Sequence, residues 1–360
     1  MFAQTDAVLL AERAKWAFTT RRVERAAAVG LDRDVSRARA GDLVLARVER
    51  IGSHRRLQLA SGRPSELYTG DLVVLACGAR YAPDQFEGIA TLDPAGADLL
   101  AGGGVLGTMR AANGRMARPT RLTPVGLLRG RGGRVLRLAD FALAPRPRPA
   151  GMTVIAGVGA AMNAGKTTAV ACLANGLGRA GHGVAALKVT GTGAFGDYNA
   201  YLDAGAAHVA DFVDAGMAST YREPRARIVA AMDTLLAHAA AAGCDIAVVE
   251  LADGIFQRET AELLADPAVR ARFDGVIYAA RDGASAAGGV AVLRGHGIEP
   301  AVLTGLVAAS PLGAAEATAA TGIAVTGREA LMDPAFAGAL AARLGRDTAG
   351  RATAPAACLS

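Results

Sequence analysis

Apolar and polar positions along the chain follow two different styles, and the change comes near residue 145. From about residue 41, short apolar runs are broken by turn residues. GDLVLARVERI, RLQLA, GDLVVLACG and PVGLLRGRGGRVLRLADF read as strands, punctuated by GD, SGRPS and RGRGG. Ahead of them, LLAERAKWAF carries a helical pattern within residues 1–28. AGGGVLGTM (101–109) is glycine-rich, but no clear strand and helix flank it, so it reads as a structural turn. ALAPRPRPAG (142–151) has three prolines and no apolar period, which marks a linker.

Beyond the linker, strands and helices alternate. MTVIAGVGA is a buried-strand run and AGKTTAVACLANGLGRAGH a helix stopped by Gly181 and Gly183. GVAALKVTG, CDIAVVELADG, FDGVIYAAR and EPAVLTGLVAA read as further strands. ARIVAAMDTLLAHAAAAG and SAAGGVAVLRGHG read as the helices between them, and ATGIAVTGRE closes the series. Such alternation calls for a parallel sheet covered by helices on both faces.

Composition narrows the class. At 360 residues the chain can bury two domain cores. No apolar stretch approaches the ~20 residues that span a bilayer. The first residues lack the basic start of a secretory signal, so a cytoplasmic protein with no membrane contact is expected. Cys77, Cys172, Cys244 and Cys358 are scattered without a CxxC pair, which points to neither a zinc site nor a disulfide framework.

Charge is uneven. Residues 1–150 carry 24 Lys+Arg against 14 Asp+Glu, a net of +10; the remainder carries 15 against 19. That asymmetry suits either an anionic partner or an Arg-rich solvated surface. Nucleic acid is not expected, because few aromatics are present in this half to stack bases. The chain has only three lysines, Lys15, Lys166 and Lys188, and two of them fall in the motifs that follow.

The central motif is IAGVGAAMNAGKTTAVACLANGL (155–177), in which a strand leads through a loop of small residues into a helix. Backbone N–H groups of such a loop and of the helix start converge on phosphate oxygens. Asn163, Ala164, Gly165, Lys166, Thr167 and Thr168 are the candidate phosphate-binding residues. Lys166 would neutralise the phosphates and Thr167 would offer its hydroxyl to Mg²⁺. The pattern GxxxxGK[ST] asks for glycine at 160, where this chain has Ala160, with Gly159 one place earlier.

Three further segments carry candidates. Lys188 ends the strand of KVTGTG, at the edge of a parallel sheet where ligands bind. Glu250 ends the strand of VVELADG, with Asp253 three residues on, and suits the acid that helps to hold Mg²⁺. GAFGDYNAYLDAGAAHVADF holds Asp197, Tyr198 and Asp203, and reads as a loop able to close over a substrate, with Asp197 as a candidate catalytic group. Pro311, in TGLVAASPL, shapes a loop expected to meet a nucleotide base.

Together, AxxMNAGKTT, KVTGTG and VVELADG resemble the P-loop subclass of dethiobiotin synthetase, the cobyrinate amidating enzymes and the molybdopterin-guanine dinucleotide accessory protein B. In that family's strand ends a proline stands where this chain has Val189, and a glycine where it has Leu251. A closer resemblance is to a family that includes D-glutamate N-acetyltransferase-like proteins. It runs through MNAGKTT, the Thr-Gly-Thr-Gly turn, the segment 203–221 and ELADG.FQRET (250–260), and covers about residues 152–335.

The expected fold is α/β: a three-layer P-loop NTPase-type domain with a mostly parallel sheet over 152–345, preceded by a smaller β-rich domain over 1–145. A linker at 146–151 and a flexible tail at 346–360 complete the expectation. The expected function is an ATP- and Mg²⁺-dependent enzyme that activates a small carboxylate- or amine-bearing metabolite by phosphoryl transfer, as one step of a ligation. Lys166, Lys188, Glu250 and Asp197 would be its catalytic residues, and Thr167 and Glu250 its metal contacts. Two alternatives stay open. One is an N-acyltransferase that holds the phosphates of acyl-coenzyme A in the same loop. The other is a nucleotide-dependent accessory protein in cofactor biosynthesis. A small-molecule substrate, and a homodimer, complete the partners considered.

Overall fold

The computed structural model describes residues 10–352, with the side chains described as far as residue 345. The chain divides into two compact units. One comprises Met1–Pro145 with Thr190–Asn199 and Asp211–Ala231; the other comprises Arg146–Val189, Ala200–Ala210 and Met232–Ser360.

In the first unit, the helical pattern of LLAERAKWAF survives only through Arg13, after which Lys15–Trp16 pairs as a strand with Leu72–Cys77. Tertiary pairing overrides local propensity there, because Trp16 is buried and needs a sheet to cover it. Leu43–Arg50 pairs with Leu72–Cys77 on one side and with Thr120–Arg129 on the other. Thr120–Arg129 continues to Ala97–Ala101, and that strand to Val105–Ala112. A parallel pairing of Val105–Leu106 with Ala76–Cys77 returns to the start and closes the ring. Closure leaves these five strands without a free edge. Val44, Ala46, Val73, Leu75, Leu99, Leu106 and Leu122 form one continuous apolar cluster within this unit. Burial of Cys77 pushes its thiol up to about 12. Of the glycine-rich stretch at 101–109, only Gly102–Gly104 is a turn; Ala101 ends one strand and Val105 begins the last strand of the ring.

The second unit is built on six strands: β1 (Thr153–Gly159), β2 (Val184–Lys188), β3 (His208–Asp211, whose last residue is counted in the first unit), β4 (Ile246–Glu250), β5 (Gly275–Ala279) and β6 (Val302–Thr304). Their order in the sheet is β3-β2-β4-β1-β5-β6. The pairings β1 with β4, β1 with β5, β2 with β4, and β5 with β6 are all parallel. The last segment expected to extend the series, ATGIAVTGRE, contributes only an isolated bridge from Leu303 to Val325.

Strand side chains alternate between the two faces of a sheet. Ile155, Val184, Ala186, Ile246, Val248 and Ile277 share one face. They pack with Val170, Leu173 and Leu177 of α1 (Lys166–Arg179), and with Leu340 and Leu344 of the terminal helix Pro334–Ala352. Tyr278, of opposite parity, lies on the other face. Its hydroxyl donates to the Ser285 carbonyl of the helix Gly283–Gly295. Helices therefore cover both faces, and the unit is a three-layer α/β domain with a P-loop between β1 and α1. The terminal helix runs on to Ala352, and the remainder of the tail expected at 346–360 lies outside the described residues.

Candidate functional site

The site follows from the same strand parity. Residue 250 continues the series 246, 248 and residue 188 the series 184, 186, so both end their strands on the face that α1 covers. In register, Lys188 is paired with Glu250 and Gly157 with Glu250. The last residues of β2 and β4 thus meet beside the first turn of α1.

The loop preceding α1 has the curvature expected of a phosphate cradle. Asn163 takes φ 60° and Gly165 φ 99°, both in the left-handed region. Gly165 is the N-cap of α1, and no side chain caps the helix. The first amide N–H groups of any helix lack intrahelical acceptors, and the helix dipole adds a positive potential there. Asn163 and Thr168 are exposed, Gly165 and Thr167 half-buried, and Ala164 buried.

The displaced glycine of the motif has a physical reason. Ala160 keeps a negative φ, so its methyl group causes no strain. At Gly159, by contrast, a Cβ would fall 2.6 Å from Lys166 Cγ. The bare backbone at 159 lets the lysine stem lie across the end of β1. Lys166 Nζ then donates to the Ala161 carbonyl at 2.7 Å and to the Asp253 carbonyl.

Glu250 is the centre of the site, and is only 1% exposed. Its Oε2 accepts from the Thr167 hydroxyl at 2.9 Å and from the Tyr201 hydroxyl. Its Oε1 faces Lys188 Nζ at 3.7 Å. Lys166 and Lys188 are also buried. These three ionisable side chains sum to one positive charge, the sign that suits a phosphate ligand. Thr167 and Glu250 are hard oxygen donors of the kind Mg²⁺ takes. Among the described residues no group of three His, Cys, Asp or Glu could form an all-protein metal cage. A cation held by one or two protein oxygens together with phosphates and water fits this donor set.

The loop after β6 also reaches the cradle. Leu306 N–H donates to the Ala164 carbonyl at 3.1 Å, and Val307 N–H to the Ala280 carbonyl at 3.1 Å. Gly305 takes φ 101°, and a Cβ there would sit 2.5 Å from the Ala164 oxygen. Pro311 begins the helix Pro311–Thr321 a few residues on, where Ser310 is the N-cap and its side chain accepts from Gly313 N–H.

The structure therefore brings together Lys166, Thr167, Lys188 and Glu250, with Asn163, Ala164, Gly165 and Thr168 along the loop beside them. Asp197 stands half-buried on the first turn of the helix Phe195–Asp203 and belongs to the first compact unit, whereas the four residues just named belong to the second. The segment expected as a closing loop, 193–212, holds this helix and the strand β3. Its Tyr198 ring packs edge-on against Phe18, and Arg21 lies over both rings while bridging Asp211 and Asp214. Tyr201 is the residue that sequence reasoning passed over. Nothing in the sequence ties it to Glu250, and its one signal is a tyrosine amid small and polar neighbours.

No helix among the described residues is long and apolar enough to cross a membrane. No protein-family model matches the chain, and no curated protein matches it. Among solved structures, the 54 kDa signal recognition particle protein of Aeropyrum pernix K1 in complex with GDP is 20% identical, with a TM-score of 0.37 over 59% of this chain and 53% of that one. The signal recognition particle receptor FtsY of Elizabethkingia anophelis is 17% identical, with a TM-score of 0.31 over 44% and 52%. A ParA family ATPase of Chlorobium tepidum TLS is 14% identical, with a TM-score of 0.32 over 54% and 92%. The chain spans about half the length of the first two structures it matches.

Proposed function

We propose that the chain is an enzyme that binds ATP with Mg²⁺ and transfers the γ-phosphoryl group to a small carboxylate- or amine-bearing metabolite, activating it for ligation. The observation that carries this reading is the convergence of Thr167, Lys188 and Glu250 at the start of α1, where Lys166 also lies. A loop that only held phosphates would not need a second buried lysine and a buried carboxylate at two neighbouring strand ends. The resemblance to the dethiobiotin synthetase type points the same way.

In this reading the loop amides and Lys166 hold the phosphates. Thr167 donates its hydroxyl proton to Glu250 in a hydrogen bond, which leaves the oxygen lone pairs to a cation. Bound Mg²⁺ would supply charge neutralisation at the phosphates. Lys188 meets the charge on the transferred group. The bond from the γ-phosphorus to the β-phosphate oxygen breaks as a carboxylate oxygen of the substrate, or an amine nitrogen that releases a proton to solvent, bonds to phosphorus, and ADP leaves with the electron pair. Catalysis is then positioning and electrostatics. Residues 308–311, ending in Pro311, would meet the base.

The test is a thermal-shift screen of nucleotides and acyl-coenzyme A species with and without Mg²⁺, followed by ADP release with candidate metabolites. A ligand at 100 times its Kd adds about 2.7 kcal/mol of stability. Mg²⁺-dependent ATP stabilisation with substrate-dependent ADP release is expected. Stabilisation by acyl-coenzyme A without Mg²⁺ would favour acyl transfer. Nucleotide binding without turnover would favour an accessory protein.

A further inference from the structure

We infer that the Tyr201 hydroxyl is the positioning group of the metal site, holding Glu250 on Thr167 and away from Lys188; this rests on the Mg²⁺–ATP reading above. Tyr201 is 1% exposed and lies in the apolar cluster that joins α1 to the sheet, with Ile155, Val170 and Val248. Its ring is therefore fixed by packing, and its hydroxyl reaches Glu250 Oε2. The geometry divides the carboxylate. Oε2 takes the Tyr201 and Thr167 hydroxyls, and Oε1 faces Lys188 across 3.7 Å.

A buried carboxylate beside an ammonium is drawn toward a close ion pair. Closing the gap to Lys188 would swing Glu250 off the Thr167 hydroxyl. The Tyr201 hydrogen bond opposes that swing, because a donor rigid on its own helix anchors Oε2. Two consequences follow. A hydroxyl has one donor proton and two acceptor lone pairs. With its proton committed to Glu250, Thr167 presents its lone pairs to a cation. Lys188 stays within ion-pair range of Oε1 but beyond hydrogen-bond distance, so Oε2 is left to the two hydroxyls. Groups that hydrogen-bond to the ligands of a metal orient them, and removing such a partner changes metal affinity by about ten- to a hundredfold.

The experiment is a titration of ATP binding to the full chain by calorimetry over a range of Mg²⁺ concentrations, for the wild type, Tyr201→Phe, Glu250→Gln and the double variant. Phenylalanine keeps the ring and removes the hydroxyl alone. ATP affinity in EDTA should stay within twofold of wild type in Tyr201→Phe, while the half-saturating Mg²⁺ concentration rises about tenfold, as expected for loss of one hydrogen bond to a charged group. In the Glu250→Gln background the same change should have less than a twofold effect, because Tyr201 acts through that carboxylate. An unchanged Mg²⁺ dependence in Tyr201→Phe overturns the inference. So does a Tyr201→Phe protein that fails to fold, which would make the hydroxyl a structural requirement. So, too, does a full effect that persists in the double variant. A wild type that binds no ATP, or binds it without regard to Mg²⁺, overturns the underlying functional reading instead, so the two failures are distinguishable.

Discussion

The Thr167 hydroxyl donates to Glu250 Oε2 over 2.9 Å, across 83 residues of sequence. One partner opens a helix and the other closes a strand. The contact exists because β4 lies directly beside β1, the strand that feeds the P-loop. It links the first turn of α1 to the carboxylate that ends β4.

Removing the Lys166 ammonium should weaken ATP binding by about two orders of magnitude, in line with truncation of a buried charge contact. The fold should persist, because the lysine stem crosses bare backbone at Gly159 rather than packing into the core. Calorimetric titration of Lys166→Ala, with circular dichroism as the control, checks this. Wild-type affinity in a folded variant would remove Lys166 from the phosphate site.

Lys188→Ala and Glu250→Gln separate turnover from binding. A group that meets charge only as it develops in the transition state changes kcat more than ground-state affinity. Lys188→Ala should therefore lower kcat at least about tenfold further than it raises the ATP Kd, and Lys188→Arg should restore only part of it, because a planar guanidinium fork is aimed differently. Glu250→Gln should flatten the Mg²⁺ dependence. Steady-state kinetics on a substrate found by the screen, beside nucleotide titration, reads both effects.

Gly305→Ala should damage the site from behind. The position has φ 101°, and its new methyl would meet the Ala164 and Ala280 carbonyl oxygens at 2.5 and 2.6 Å. Strain of this kind, added to the backbone penalty, costs at least about 2 kcal/mol. Denaturant unfolding should show that loss, and ATP affinity should fall with it because Ala164 belongs to the cradle.

His54 makes the first unit sensitive to acid. Its imidazole is held down to about 4 by burial and by the neighbouring Arg80 guanidinium. Nδ1 lies 3.0 Å from the Leu99 carbonyl and Nε2 3.5 Å from Arg80 Nη1, so the neutral ring donates from Nδ1 and a second proton would face a cation. The unfolded imidazole, near 6.5, binds a proton more tightly than the folded one. The stability that His54 contributes is therefore present above about 6.5 and is lost as pH falls through about 4, a change of about 3 kcal/mol. Urea unfolding across that window should show a steeper loss for the wild type than for His54→Gln, which stays neutral throughout. Parallel profiles would refute the assignment.

What the sequence alone determined is local. β1, the loop and α1 follow one another within residues 153–179, so their periodicity and small residues mark the P-loop without reference to the rest of the chain. The strand ends at Lys188 and Glu250 were legible for the same reason, since each closes an apolar run. Tertiary structure decided what these ends meet. Sequence order places β2 after β1, yet the sheet inserts β4 between them, and only that insertion makes Lys188 and Glu250 register partners. Tyr201 reaches Glu250 across 49 residues, and no periodicity relates positions in separate elements. Closure of the β ring was hidden likewise. The strands Ala97–Ala101 and Val105–Ala112 flank the glycine-rich turn, and the ring closes only where Val105–Leu106 pairs with Ala76–Cys77, far back in the sequence. Backbone propensity acts over a few residues, whereas pairing and burial act through space, so the loop between β1 and α1 and the strand ends at Lys188 and Glu250 could be read from the chain, but the hydrogen bond from Tyr201 to Glu250 could not.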